Sequence, residues 1–325
     1  MKHITKISAL ASILLPFACA TSNEKLSRAQ SQNSGQMYVF ESDSNGFNTK
    51  TFFYDNGQEV VAFDSQFTPD LAKQSIEFLR TKTKNPITNL VITHPNPDKF
   101  NAIDVFKSHG AEVIASKATA EAWPSVHAYK KYFFVNIAKM FTGDTYPKLS
   151  EVDQRFESSL ELKLKNGEVI SLRELKGPGV SSNQTVAYIS AINSLIVGDL
   201  VHHKAHAWLE GGIVNGQPTP TIKSWIQDLE ELKSRFATTN PMVYGGRGDA
   251  VDLKTAVDSQ ILYLSRVDEI VTKYVNGLGE QKAELKTEAS QVHYTKLQQL
   301  IESEFADYKL GYMIQYGVYG LALSK

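Results

Sequence analysis

The stretch "THPNPDKFN", residues 93–101, follows a short apolar run and holds a histidine, an aspartate and a lysine between and beside prolines. His94 and Asp98 are residue types that bind metal ions or exchange protons, whereas Asn96 and Lys99 are poor metal ligands. Such a polar loop after a strand is typical of a ligand site, because α/β sheets bind ligands beyond the carboxyl ends of their strands. The stretch is also compatible with a plain turn into a helix, with Asp98 near the N-cap.

Strand patterns and helix patterns alternate around this stretch, from residue 51 to residue 116, which predicts an α/β fold. Farther along, Asn166-Gly167 joins two apolar runs into a hairpin, and residues 221–236 repeat apolar side chains at helical spacing. From about residue 253 the pattern is mostly helical.

Three further segments combine glycine with polar or charged residues after apolar runs, and Asp64 closes an early hairpin. The three segments are Gly177-Pro178-Gly179-Val180, Gly198-Asp199-Leu200 and Gly245-Gly246-Arg247-Gly248. With residues 93–101, their order and spacing resemble the metallo-β-lactamase superfamily over about residues 37–250. The resemblance implies a four-layer αββα sandwich, with a hydrolytic, metal-binding site at one edge of its two sheets.

The resemblance also implies roles for single positions. His94 matches the first histidine of the family's His-x-His-x-Asp-His motif, Asp98 matches its aspartate, and Asp199 matches the metal-bridging aspartate. These three residues are the candidate catalytic residues and the first candidate metal ligands. At the remaining ligand positions this chain has no histidine. The replacements are Asn96, Lys99, Val180 and Arg247.

The replacements suggest a charge exchange. Two carboxylates without a cation would repel each other, and Lys99 and Arg247 bring two positive charges to the same place. One such pair at about 4 Å is worth roughly 4 kcal/mol at an effective dielectric near 20, before desolvation. We therefore predict ion pairs of Lys99 and Arg247 with Asp98 and Asp199, and no cofactor. One divalent ion, such as zinc, is the alternative.

A histidine cluster after Asp199 could rebuild a metal centre. If this segment were helical, His202 and His206 would share a face at a spacing that can bind metal. The favoured interpretation is a structural role for these histidines and for His203, because no glutamate-containing zinc-protease pattern surrounds them. Ser181 is either a nucleophile or, more commonly, a turn residue. The residues expected at the site edge or in ligand binding are Asn96, Lys99, Val180, Ser181, Trp208 and Arg247.

The N-terminus predicts export. Lys2 and Lys6 precede an apolar run that ends in Ala18-Cys19-Ala20, a pattern typical of a signal peptide over residues 1–20. The protein is therefore expected to be secreted or periplasmic. A lipid anchor on Cys19 is the less favoured alternative.

The rest of the chain divides by pattern. Residues 21–36 are predicted to be a flexible lead-in, and residues 37–250 a metallo-β-lactamase-like domain. An aromatic inserted loop or lid is expected at 123–150. Residues 251–325 are predicted to form a helical extension that packs on the same domain.

Composition limits the partners. The formal net charge of −1 gives no basic field for nucleic acid, and no membrane span is expected. A small molecule is the expected partner, and the C-terminal helices could form a homodimer. Two functions stay open. The first is hydrolysis of a small ester, lactone or amide, and the second is non-catalytic binding of an anionic small molecule by Lys99 and Arg247.

Overall fold

The computed structural model describes residues 35–325. The predicted signal peptide, with Cys19, and residues 21–34 of the predicted lead-in lie outside the described residues. The last residue of that lead-in, Gln36, begins the first strand. No helix within residues 35–325 is both long enough and apolar enough to cross a membrane.

Two six-stranded sheets organise the chain. Strands of the first sheet neighbour one another in chain order, and β3 to β6 run parallel. These strands are β1 (Gln36–Glu41), β2 (Lys50–Asp55), β3 (Val60–Phe63), β4 (Ile87–Val91), β5 (Glu112–Ser116) and β6 (Gln154–Phe156).

The second sheet is antiparallel except where β10 and β13 pair in parallel, and its order is β14-β13-β10-β9-β8-β7. A small separate hairpin, β11 and β12, lies between β10 and β13 in the chain. These strands are β7 (Ser159–Lys163), β8 (Val169–Glu174), β9 (Thr185–Ile189), β10 (Ser194–His203), β11 (Gly212–Val214), β12 (Gln217–Thr219), β13 (Met242–Gly248) and β14 (Val251–Asp252).

Helices cover the outer face of each sheet. On the first sheet they are α1 (Pro69–Arg80), α2 (Pro97–Phe100), α3 (Ile103–Ser108) and α4 (Lys117–Tyr132), which continues into a π-helical turn (Phe133–Ile137). On the second sheet they are α5 (Ile222–Arg235), α6 (Leu253–Gly277), α7 (Ser290–Glu304) and α8 (Tyr312–Leu323), with a 3-10 segment (Gly279–Lys286) before α7.

Three apolar layers hold the four layers of structure together. Side chains such as Phe52 and Ile196 fill the space between the two sheets. Ile76 and Trp123 belong to the layer between the first sheet and its helices, and Trp225 to the layer between the second sheet and its helices. This arrangement confirms the predicted αββα sandwich.

Helix ends follow sequence rules. Thr68 caps α1 by accepting a hydrogen bond from the Leu71 amide, and Pro69 fills the first turn, where its missing N–H is no loss. Asp252 caps α6 in the same way through the Thr255 amide. The cap fixes the residue at which α1 begins after the loop that follows β3. That loop contains Asp64, one of the residues near the candidate site.

The segment 123–150, predicted to be an inserted loop, begins inside α4. Pro124 lies within this helix, where it removes one backbone donor. Trp123 and Val126 are buried against the first sheet. Tertiary packing of these two side chains outweighs the tendency of Pro124 to break a helix. For this reason the sequence pattern predicted a loop where the helix continues.

Candidate functional site

Four charged side chains meet at one edge of the two sheets. Lys99 Nζ lies 2.9 Å from Asp98 Oδ2 and 2.8 Å from Asp199 Oδ1. Both contacts are ion pairs whose angles do not meet the criteria for a hydrogen bond. The guanidinium of Arg247 donates to Asp199 Oδ2 at 2.6 Å and to Asp98 Oδ2 at 3.0 Å. The predicted ion pairs are confirmed, and each cation bridges both carboxylates. We call these four residues the charge cluster.

Burial and charge act against each other in this cluster. Burial raises the pKa of Asp98, but Lys99 and Arg247 outweigh it and hold this pKa at about 2. Burial likewise opposes ionisation of Asp199, yet the same two cations keep its pKa well below the usual value. The carboxylates outweigh burial at Lys99 and raise its pKa. All four groups are therefore charged near neutral pH, and their charges sum to zero.

The loop before β2 positions Arg247. Thr49 Oγ1 donates to Asp98 Oδ2 at 2.7 Å and accepts from Arg247 at 2.8 Å, while Arg247 Nε donates to the Phe47 carbonyl at 3.1 Å. Phe47 has a φ of 59°, a left-handed conformation that costs energy in a residue other than glycine. On the other side, a Cβ at Gly246 would overlap Asp199 Oδ1. Glycine there lets β13 approach the carboxylate closely.

His94 is held from behind by a chain of polar groups. Thr93 Oγ1 lies 2.8 Å from His94 Nδ1 and 2.9 Å from Asp64 Oδ2. Burial raises the pKa of Asp64 to about 6. On its free side, His94 Nε2 lies 3.6 Å from Asp199 Oδ2 and has no hydrogen-bond partner among residues 35–325.

His202 joins the site, but not through helical spacing. It lies on β10 rather than on a helix, so the predicted face shared by His202 and His206 does not exist. His202 Nε2 lies 3.7 Å from Asp199 Oδ1, and burial lowers the pKa of this imidazole. The site also falls within strands, because both Asp199 and Arg247 lie inside β10 and β13 rather than in the loops after them.

Several expected site residues lie outside the charge cluster. Val180 packs in the core between the second sheet and its helices. Ser181 Oγ donates to the Asn183 carbonyl at 2.7 Å, which is a turn role. His203 faces Ser259, and His206 Nδ1 lies 3.2 Å from the hydroxyl of Tyr263. The pKa of His206 falls to about 4 because the ring is buried.

A small cavity of about 30 Å³ lies directly on the charge cluster, with room for roughly one or two water molecules. Asn96 lies on its polar side with Asp98, Asp199 and Arg247, and Trp208 lies on its apolar side. The remaining wall is mostly apolar and comes from several separate parts of the chain. It consists of Phe47, Phe67, Pro97, Phe134 and Met313, together with the charged side chain of Lys130.

A buried carboxyl group beside this cavity was missed by the sequence reading. Glu210 accepts hydrogen bonds from the Tyr129 hydroxyl at 3.0 Å and from Trp208 Nε1 at 2.9 Å. Lys130 and the hydroxyl of Tyr319 also donate to it. We call these five residues the Glu210 cluster. It joins α4, the loop after β10 and α8.

The residues present do not fit the metal that the resemblance implies. Zinc needs several N or O ligands at about 2.0–2.2 Å. Donors from Lys99 and Arg247 already contact both carboxylates, and no group of three or more His, Cys, Asp or Glu side chains within residues 35–325 is arranged to hold an ion.

Known proteins resemble this chain in sequence and fold. No family model matches the chain. The metallo-β-lactamase type 2 of Bacillus cereus is 23% identical over 193 residues, which covers 59% of this chain and 64% of that protein. The chain therefore spans less than two thirds of the length of this curated relative.

Two solved structures show the same architecture. The DIM-1 metallo-β-lactamase exposed to ceftazidime superposes with a TM-score of 0.51 at 15% identity, over 71% of this chain and 92% of that chain. A metallo-β-lactamase from Pontibacter korlensis gives a TM-score of 0.51 at 16% identity, over 71% of this chain and 99% of that chain. This chain therefore has the fold of the metallo-β-lactamase superfamily, as its sequence predicted.

Proposed function

We propose that this chain is a hydrolase-like protein of the metallo-β-lactamase fold that binds a small molecule without a metal ion. The observation that carries the proposal is the double contact of each cation. Lys99 and Arg247 both reach Asp98 and Asp199, so the carboxylates hold no uncompensated charge that would attract a divalent ion.

The electrostatics oppose metal entry. Two unit charges about 4 Å apart interact by roughly 4 kcal/mol at an effective dielectric near 20. A divalent ion at that distance from one ammonium group would therefore be repelled by about twice that energy. Lys99 would have to lose its proton or move away. Its raised pKa disfavours the first route, and complete burial leaves little room for the second.

The same balance argues against an anionic ligand. Lys99 and Arg247 were expected to bind such a ligand, but their charges are already neutralised by Asp98 and Asp199. A neutral small molecule that reaches the amide of Asn96 after the aromatic wall opens fits better, because the closed cavity has room only for water. A secreted or periplasmic location, and a homodimer, stay predictions.

Metal analysis tests this function. Protein purified from zinc-supplemented culture is expected to contain less than about 0.1 zinc, iron or manganese per chain, and a chelator should leave its melting temperature unchanged. A double variant, Lys99→His with Arg247→His, restores imidazoles and should gain zinc. Lys107→His, at a partly exposed ion pair with Asp153, is the matched control that should not. One equivalent of metal in the wild-type protein would overturn the proposal.

Metal-free hydrolysis of a small ester, lactone or amide is the second candidate. It is favoured by His94, whose Nε2 is buried and unpartnered within the described chain while Thr93 holds Nδ1. This geometry suits a proton acceptor, whereas the low pKa values of Asp98 and Asp199 make them weak bases. Because His94 is fully buried, the aromatic wall would have to open first.

A panel of chromogenic esters, lactones and β-lactams separates the candidates. Turnover that survives a chelator and disappears in His94→Gln would establish metal-free hydrolysis. Turnover abolished by the chelator would contradict both candidates. If the wild-type protein turns over none of these compounds, the binding function stands alone.

A further inference from the structure

A second, larger concavity lies beside the charge cluster. Its volume is about 800 Å³, within the usual range for small-molecule sites. The two segments outside the family pattern, the inserted segment and the helical extension, supply most of its wall. We call it the aromatic groove, and its main wall residues are Tyr129, Phe133, Tyr294, Tyr312, Tyr316 and Tyr319.

The groove has no charge of its own. Among the described residues that line it, none is acidic or basic, and the polar ones are serine, asparagine, glutamine and tyrosine. A charged ligand would therefore lose hydration without gaining a counterion. The groove favours a neutral occupant.

Four of the six tyrosines that line the groove have hydroxyl groups bound to the protein. Tyr294 donates to the Leu285 carbonyl at 2.7 Å, and Tyr312 donates to Asn48 Oδ1 at 2.8 Å. The hydroxyls of Tyr129 and Tyr319 belong to the Glu210 cluster. Since these hydroxyls are bound to the protein, the walls offer aromatic faces and edges, which suit a flat apolar ligand.

Phe47 connects the groove to the charge cluster. Its ring lines both the groove and the small cavity, and its carbonyl accepts the hydrogen bond from Arg247. Trp208, on the cavity side, stacks on Tyr316, on the groove side, with an angle of 14° between the rings. A ligand in the groove would therefore lie one aromatic layer from Asp98 and Asp199.

We propose that the aromatic groove binds a neutral aromatic small molecule. The inference rests on the proposed binding function and assigns the chemical class of the ligand. Tyr132 and Ile137, exposed at 62% and 59%, form an apolar rim at which such a ligand would enter.

Two matched dyes test the proposal on the full chain. N-Phenyl-1-naphthylamine is neutral, and 8-anilino-1-naphthalenesulfonate is the same molecule with a sulfonate added. In the presence of a chelator, the neutral dye is expected to bind saturably at one site, with a Kd at least about tenfold lower than that of the sulfonate. An equal or lower Kd for the sulfonate would overturn the proposal.

Rim variants locate the site. Ile137→Lys and Gln315→Lys place a charge in the groove and should raise the Kd of the neutral dye about tenfold. Leu262→Lys, at an equally exposed apolar residue of α6 outside the groove, should leave it unchanged. Equal effects in all three variants would place the dye elsewhere. If the wild-type protein is a dimer that Ile137→Lys dissociates, and no dye binds, the groove is a contact between copies and the proposal is wrong.

The outcome separates this inference from the proposed function. Metal-free protein that binds no dye refutes the groove alone. Metal-loaded protein that binds the neutral dye refutes the metal-free function alone.

Discussion

Replacing Arg247 with leucine is expected to lower the free energy of unfolding by about 3–5 kcal/mol, because it leaves a buried carboxylate without its partner. The variant keeps Asp98 and Asp199, both buried, and among residues 35–325 Lys99 remains as their lysine or arginine partner. It also removes the hydrogen bonds that Arg247 donates to Thr49 Oγ1 and to the Phe47 carbonyl. The loss should appear in urea denaturation and as a fall of about 10 °C in the melting temperature.

Two controls show whether charge is the cause. Arg235→Leu breaks a surface ion pair with Glu231 on α5 and should cost no more than about 0.5 kcal/mol. Adding Asp199→Asn to Arg247→Leu removes one charge of each sign, so the double variant should be more stable than the single one. If both Arg247 variants are equally unstable, lost packing rather than charge explains the effect.

Acid sensitivity follows from the same cluster. Asp98 and Asp199 have pKa values below the value of about 3.9 in an unfolded chain, so their contribution is present above pH 4 and is lost as the pH falls toward 2. Asp64 acts with the opposite sign. Its raised pKa of about 6 removes stability as the pH rises from about 4 to 6. Wild-type protein should therefore lose more stability than Arg247→Leu between pH 4 and pH 2.

The sequence predicted the layers and the charge cluster because both depend on residue type and order. Alternating strand and helix patterns predict an α/β fold, and the resemblance to the metallo-β-lactamase superfamily implies its four-layer αββα form. Strand ends bring distant polar segments to one edge of the sheets. Lys99 and Arg247 could be paired with Asp98 and Asp199 because opposite charges at matching positions leave few alternatives. The sequence could not show that each cation contacts both carboxylates. That depends on side-chain geometry, which residue spacing does not determine.

The helical spacing considered for the histidines after Asp199 does not occur, because His202 lies in a strand rather than in a helix. β10 continues to His203, so neighbouring side chains alternate between its two faces. His202 points to Asp199, whereas His203 lies toward Ser259 on α6. The two-residue period of a strand therefore places His202 and His203 on opposite faces. The period of a helix would instead have placed His202 and His206 on the same face.

The Glu210 cluster could not be predicted, because its members have no local pattern. Glu210 is 80 residues from Lys130 and 109 residues from Tyr319 in the chain. Only the packing of α4 and α8 beside the loop after β10 brings them together. A lone glutamate before Gly211-Gly212 gives no sign of burial.

The Glu210 cluster should hold the inserted segment in place, so we expect Glu210→Ala to lower the free energy of unfolding by about 3–5 kcal/mol. Lys130 would keep only its positions over the Trp208 and Tyr129 rings, 4.8 Å and 5.7 Å from their centroids, in place of a carboxylate. Lys130→Met should cost less, because three hydrogen-bond donors still reach Glu210.

Limited proteolysis distinguishes local release from general unfolding. Lys131 and Lys139 are exposed trypsin sites in the inserted segment. In Glu210→Ala, cleavage there should become at least about tenfold faster under conditions in which the rest of the chain stays intact, because local opening exposes this backbone first. Glu231→Ala, a surface change on α5, should leave the cleavage rate unaltered. Unchanged cleavage in Glu210→Ala would mean that the aromatic packing of Phe134 and Phe67, rather than the buried carboxyl, secures the inserted segment.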